Sequence, residues 1–169
     1  MPIYIKIPGI NGTVKEDGHK GWLSVDSCDF EVTREISEGT GAAKNRELRA
    51  PVVSAYNFAK KVDDSSGGLA KWSIGEPSKG IVEIHYCKTG AAGFETYLAI
   101  KLAQCILSKY EVSTDDSPEE KGTENFSISY LSIEMKFQQY DEAGSAEGGP
   151  DITAYNLRNG KAEGVAIGG

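Results

Sequence analysis

Apolar residues in this chain recur with a period of two, in short runs broken by glycine-rich and polar segments. That pattern admits few folds other than a β-rich one. Ile3, Ile5 and Ile7 alternate with Tyr4 and Lys6, so one face of an extended segment is apolar. Residues 9–21 are polar and glycine-rich and read as a turn region. From Trp22 to Val32 the alternation changes phase. Leu23 and Val25 point one way and Cys28, Phe30 and Val32 the other, which predicts a bulge near Asp26 and Ser27. Strand spacing resumes at Val52, with Ser54, Tyr56 and Phe58 on one face, and again over 81–87, with Val82, Ile84 and Tyr86 together. Residues 126–137 read as one long strand with Leu131, Ile133, Met135 and Phe137 on one face. Residues 144–150 read as a turn and 152–157 as a last short strand. The glycine-rich end, 161–169, is expected to fray.

Three segments depart from this pattern. Ser65 or Ser66 can cap one short helix through Leu69 and Trp72, stopped by Gly75 and Pro77. Residues 94–112 fit two readings. Helical spacing groups Phe94, Tyr97, Leu98, Leu102, Cys105 and Ile106. Strand spacing groups Leu98, Ile100, Leu102, Ile106, Tyr110 and Val112. Residues 35–49 fit neither period and read as a long loop, a kind of segment that is usually functional or disordered. Residues 113–124 read as a polar loop.

Composition narrows the classes of function. The net charge of -7 gives no footprint for phosphate backbones or anionic lipid heads, and Lys44, Arg46, Arg49, Lys60 and Lys61 form only short clusters beside Glu47 and Asp63. Nucleic-acid binding is therefore not expected. No apolar run approaches the roughly 20 residues that span a bilayer, so membrane insertion is not expected either. The N-terminus lacks a basic region followed by an apolar stretch, which argues against a cleaved signal peptide. The three cysteines, Cys28, Cys87 and Cys105, are odd in number and show no CxxC spacing, which disfavours a disulfide framework. At 169 residues the chain fits one domain, read here as residues 1–160 followed by the tail.

No motif for catalysis or for a cofactor stands out. His85 and Cys87 share a face of a strand, half of a metal site, but His19 lies in the turn region and no second spaced pair completes the set. Gly39-Thr40-Gly41-Ala42-Ala43-Lys44 superficially resembles a phosphate loop. The true pattern needs glycine before the lysine and a hydroxyl residue after it, where Ala43 and Asn45 stand. Asp115, Asp116, Glu119 and Glu120 lack the alternation and central glycine of a calcium loop.

Several segments together resemble the Hcp family, the haemolysin-coregulated tube protein of bacterial type VI secretion. They are Tyr4-Ile5-Lys6-Ile7 with Gly9 and Gly12, the step from His19 to Trp22, and Phe58-Ala59-Lys60-Lys61-Val62-Asp63 before the helix. Tyr97-Leu98-Ala99-Ile100-Lys101-Leu102 followed by Ile106-Leu107-Ser108 is similar to the family's central strand. Thr123-Glu124-Asn125-Phe126-Ser127-Ile128 and Gly148-Gly149-Pro150 carry the resemblance furthest. It runs from residue 2 to about residue 160.

The resemblance implies a compact β-barrel of two packed sheets with one short flanking helix and a long extended loop. It implies that 94–112 is a strand. It implies homohexameric rings stacked into a tube, pushed out inside a contractile sheath behind a spike protein, with small effector proteins carried in the lumen. The protein would then be made in the bacterial cytoplasm and secreted. No catalytic residue, cofactor or metal is expected. Ser37, Glu38, Gly39, Thr40, Gly41, Ala42, Ala43, Lys44, Asn45 and Arg46 are expected to form a ring-stacking loop. The competing reading is a monomeric secreted β-barrel that binds a small ligand or acts as an enzyme.

Overall fold

Fourteen strands and one helix form among the residues that the computed structural model describes, which are 1–38, 46–75, 77–90, 93–116 and 121–163. β1 (Ile3–Lys6) pairs with β2 (Leu23–Val25) on one side and β9 (Lys79–Gly90) on the other. β9 pairs with the first half of β10 (Gly93–Ser113). The order continues through β12 (Ser132–Tyr140), β13 (Ala146–Asn156) and β14 (Lys161–Glu163), all antiparallel. The second half of β10 pairs instead with β11 (Thr123–Ser129), then come β8 (Tyr56–Lys61) and β3 (Ser27–Asp29). The chain is mostly β, as expected. Among the described residues the ladders form two packed sheets and not a closed cylinder, so "barrel" fits the shape only loosely.

The segment 94–112 is indeed a strand, within the 21 residues of β10. Its facing differs from the expected one. Ile100 and Leu102 are buried in the core, but so are Cys105 and Leu107, while Ile106 is 55% exposed. The change of facing falls at Gln104, whose φ of 53° places an L-residue in the left-handed region, while the register with β9 runs unchanged across it from Ala103 opposite Ile81 to Cys105 opposite Lys79. A register shift between Leu107 and Lys109 against β11 returns Tyr110 toward the core, and another lies between Thr96 and Leu98 against β9. At Gln104 the strand turns from one sheet into the other.

Two further corners do the same. The predicted bulge near Asp26 is where β2 ends and β3 begins, and it lets Leu23, Val25 and Cys28 all face the one core. The expected single strand over 126–137 breaks at Tyr130 and Leu131 into β11 and β12. Tyr130 is buried there and its hydroxyl donates to the Ser54 carbonyl. The expected turn at 144–150 is shorter. It closes at Asp141–Ser145, and Pro150 lies inside β13. Pro150 is tolerated because the β12–β13 register shifts between Phe137 and Gln139, opening the ladder beside it. Lys161–Glu163 is not frayed but pairs with β13, and residues 164–169 lie outside the described residues.

The helix α1 (Ser66–Gly75) buries Leu69 and Trp72. Its cap is Asp63, not Ser65 or Ser66. Asp63 Oδ1 accepts from the Ser65 amide at 2.8 Å, and the Ser66 hydroxyl reaches back to the Asp63 amide at 3.0 Å. Behind this cap lies a buried charge pair. Tyr56, Phe58 and Lys60 share the inward face of β8, directly opposite Ile128, Phe126 and Glu124 of β11. Lys60 and Glu124 are 1% and 0% exposed, with Nζ 2.5 Å from Oε1. The Ser66 hydroxyl donates to Oε1 at 2.9 Å and the Tyr110 hydroxyl to Oε2 at 2.7 Å. Lys60 also reaches Asp63 at 2.8 Å. Read as part of a surface basic cluster, Lys60 is in fact one of the most buried side chains in the molecule.

Two stability changes follow. Ile100→Ala should cost about 2–5 kcal/mol, whereas Ile106→Ala should stay within about 0.5 kcal/mol, read by denaturant unfolding. Glu124→Gln should cost about 3–5 kcal/mol, because it leaves Lys60 charged and buried without its main partner.

Candidate functional site

Residues 35–49, expected as a long loop, are in large part a ribbon. β4 (Val32–Thr33) pairs with β7 (Val52–Val53), and β5 (Ile36–Glu38) pairs with β6 (Arg46–Leu48). The Ser54 amide donates to the Glu31 carbonyl at the base, and the Arg49 amide to the Glu35 carbonyl between the two ladders. The ribbon escaped sequence reading because its short strands carry no run of alternating apolar and polar residues. Of the expected stacking residues, Ser37, Glu38 and Arg46 fall in this ladder, with Glu38 opposite Arg46 and Ser37 opposite Glu47. Gly39, Thr40, Gly41, Ala42, Ala43, Lys44 and Asn45 lie outside the described residues, so the phosphate-loop likeness there has no structural counterpart to weigh.

The four short strands of the ribbon pair with each other and make no extensive packing with the sheets. Val32, Ile36 and Val52 are exposed. The Arg49–Glu35 ion pair at 2.8 Å is also exposed on both sides, and contributes at most about 1 kcal/mol. At the ribbon's base, Phe30, Val32, Pro51 and Val53 form one wall of an apolar groove of about 220 Å³, and Ile133, Met135, Thr153 and Tyr155 form the other. No single stretch of sequence signals this groove, since its walls come from β4, β7, β12 and β13.

On the opposite side of β9 the structure brings together residues the sequence kept apart. His19 reaches His85, with Nε2 2.8 Å from Nδ1, and lies 3.9 Å from the Cys87 thiol. Thr96 Oγ1 is 3.5 Å from both His85 Nδ1 and Cys87 Sγ. Cys87 belongs to a small second core with Tyr4 and Trp22. The two imidazoles are bonded to each other, and among the described residues no three His, Cys, Asp or Glu side chains gather as a metal-holding group. Burial pushes the Cys87 thiol up, and the Cys105 thiol up to about 12, so neither is poised as a nucleophile. Beside His85, the outer sheet face forms an open groove of about 490 Å³ floored by Ala99, Lys101, Glu134 and Tyr140. Asp115 and Asp116 are exposed at the far end of β10, and Glu119 and Glu120 lie outside the described residues.

The sequence model of the family described as type VI secretion system effector, Hcp, matches residues 4–137. No curated protein matches the sequence. The fold is similar to a solved structure described as a type six secretion system protein, with TM-score 0.87 and 20% identity, covering 96% of this chain and 99% of that one. It is similar to Hcp1 from Salmonella typhimurium, with TM-score 0.76, 20% identity, and 96% and 98% of the two chains covered. A type VI secretion system effector from Yersinia pestis follows at TM-score 0.70 and 21% identity, over 91% and 98%. At these identities the structural likeness is one of fold.

The thiols give a direct check on the site. Alkylation of the folded protein near neutral pH, followed by mass analysis, should leave Cys87 and Cys105 unmodified, with any early label on the half-buried Cys28. Rapid labelling of Cys87 would mean that the His19 segment does not cover it.

Proposed function

This chain belongs to the Hcp family of type VI secretion, and on that footing we propose that it is a structural tube subunit with no catalytic role. Copies close laterally into hexameric rings, and the rings stack into a tube. The tube leaves the bacterial cytoplasm inside a sheath and behind a spike, and carries small effector proteins in its lumen. It neither binds nucleic acid nor inserts into a membrane.

The observation that supports this reading best is the ribbon. A two-stranded ribbon is marginal in water by itself, and this one exposes Val32, Ile36 and Val52 next to an apolar groove. A neighbouring copy supplies the surface it lacks. Rings closed by rotation join two different patches of the same subunit, so an arm on one side and a receiving face on the other suit such closure. We assign residues 37–46 the stacking contact. Lys44 and Arg46 then meet acidic groups of the next ring, which the net charge of -7 makes plentiful. Exposed ion pairs contribute only about 0–1 kcal/mol each, which suits a tube that must come apart.

The outer groove beside His85 is the one feature that favours a small-ligand binder or enzyme instead. Solution mass separates the two readings. Analytical ultracentrifugation at micromolar concentration should show one species of about six subunit masses, and a strictly monomeric profile would overturn the tube assignment. Deleting residues 39–44 should leave that ring mass unchanged while tube formation and secretion fall. Normal tubes would remove the stacking role, and rings that fall apart would move the segment to the lateral interface.

A further inference from the structure

Residues 9–22 fold into a turn of their own. The Gly12 amide donates to the Gly21 carbonyl, the Gly21 amide to the Val14 carbonyl, and the Val14 amide to the Trp22 carbonyl. The turn is tight: a Cβ on Gly12 would stand 2.1 Å from the Trp22 carbonyl oxygen. It lies against the outward face of β1 and β9, the side opposite Ile5, Val82 and Ile84. Its contacts there are aromatic. The His19 ring is 4.7 Å from Tyr4 and 4.9 Å from Trp22, and Trp22 is 4.6 Å from His85. Two side-chain hydrogen bonds join His19 to the sheet, one between the two imidazoles at 2.8 Å and a longer one with the Cys87 thiol at 3.9 Å.

That bond has a protonation requirement. One nitrogen must bring a proton and the other a lone pair. His19 is 6% exposed, and its second nitrogen, Nδ1, is buried with no partner, so a proton added there gains no acceptor. If both rings are protonated, two N–H groups and two positive charges face each other at bonding distance.

We propose that the His19–His85 pair is an acid-sensitive latch, which holds residues 11–22 on the sheet at neutral pH and releases them as the rings take up protons, while Ile10 stays anchored in the main core.

The surroundings agree. Burial is the main cause holding His19 below the usual imidazole range, against the pull of Glu16. Burial pushes His85 down to about 4, helped by His19, Lys101 and Lys6 and opposed by Glu83. Of the other groups around the pair, the Tyr4 phenol and the Cys87 thiol are neutral, both pushed up by burial, Thr96 does not titrate, and the charged Glu134 and Lys136 line the groove beside His85. Because the docked imidazoles bind protons less readily than released ones, docking is fully favoured above the ordinary histidine range near 6.5. It is lost progressively as pH falls toward 4. His85 alone should raise the released fraction about 20-fold between pH 7 and pH 5.

The chain holds two histidines and two tryptophans, so each signal can be followed separately. The test is fluorine NMR of the 5-fluorotryptophan-labelled protein, run with a histidine titration from pH 7.5 to pH 4. The Trp22 resonance should move together with both histidines below the ordinary imidazole range, while Trp72, buried under α1, stays put. The double variant His19→Gln/His85→Gln keeps the amide hydrogen bond without titrating, and its Trp22 signal should hold still down to pH 4. Histidines that titrate near 6.5 with a static Trp22 would overturn the latch. So would a double variant that opens at the same pH as the parent. Should that variant fail to fold, the parent's histidine titration decides alone.

Discussion

β10 belongs to both sheets, and that sharing constrains everything around it. A strand with strict two-residue alternation presents one face to one layer. If it passes from one sheet to the next around a common core, the same alternation would carry its apolar residues outward past the corner. The left-handed backbone at Gln104 re-aims the strand so that Cys105 and Leu107 return to the inside. The register shift after Leu107 brings Tyr110 back in turn. β2 with β3, and β11 with β12, solve the same problem by breaking the strand. Three crossings of this kind let a chain with one short helix enclose a core using sheets alone.

The buried Lys60–Glu124 pair fixes the geometry at one of those corners. An apolar pair of similar volume would be as stable or more so, because desolvating two charges offsets most of their attraction. The pair differs from apolar contacts in being directional. Glu124 accepts from Lys60, Ser66 and Tyr110, which belong to β8, α1 and β10. A slip of β8 against β11 by one residue would turn Lys60 to the outer face and leave Glu124 buried without it. The register is reinforced by Phe58 stacked on Phe126 at 4.9 Å and on Tyr56 at 5.1 Å. The same network seats the start of a helix whose own composition is weak. Gly68 is an asset there, since its missing side chain lets Ile10 approach to where a Cβ would stand at 3.1 Å.

With the core settled, the remaining features face outward. The ribbon and the groove at its base form an apolar surface on a charged protein. The turn over β9 closes another such surface internally, through Tyr4, Trp22 and Cys87. The second is covered by the chain itself, while at the first Val32 and Val52 stay exposed. Residues 9–22 fold back at once onto the strand they have just left, whereas the arm packs on the core only at its base, through Phe30 and Val53.

Residue by residue, the local pattern carried the strands of both sheets, the change of phase at Asp26 and the absence of a charged or apolar stretch suited to nucleic acid or bilayer. The family resemblance resolved β10, which periodicity left open between helix and strand. The burial of Lys60 was missed, since its charge placed it in a basic cluster although it continues the inward face of Tyr56 and Phe58. What the pattern could not carry is any fact that depends on two distant segments meeting. Gln104 takes its left-handed backbone where the two sheets require a corner, so Ile106 and Cys105 exchange places relative to simple alternation. The arm forms by pairing 36–38 with 46–48, and neither half needs an apolar face to do so. His19 and His85 are 66 residues apart and become partners only because the turn lies across β9. Side-chain period is a property of one strand, while phase, pairing and proximity are properties of the packed whole.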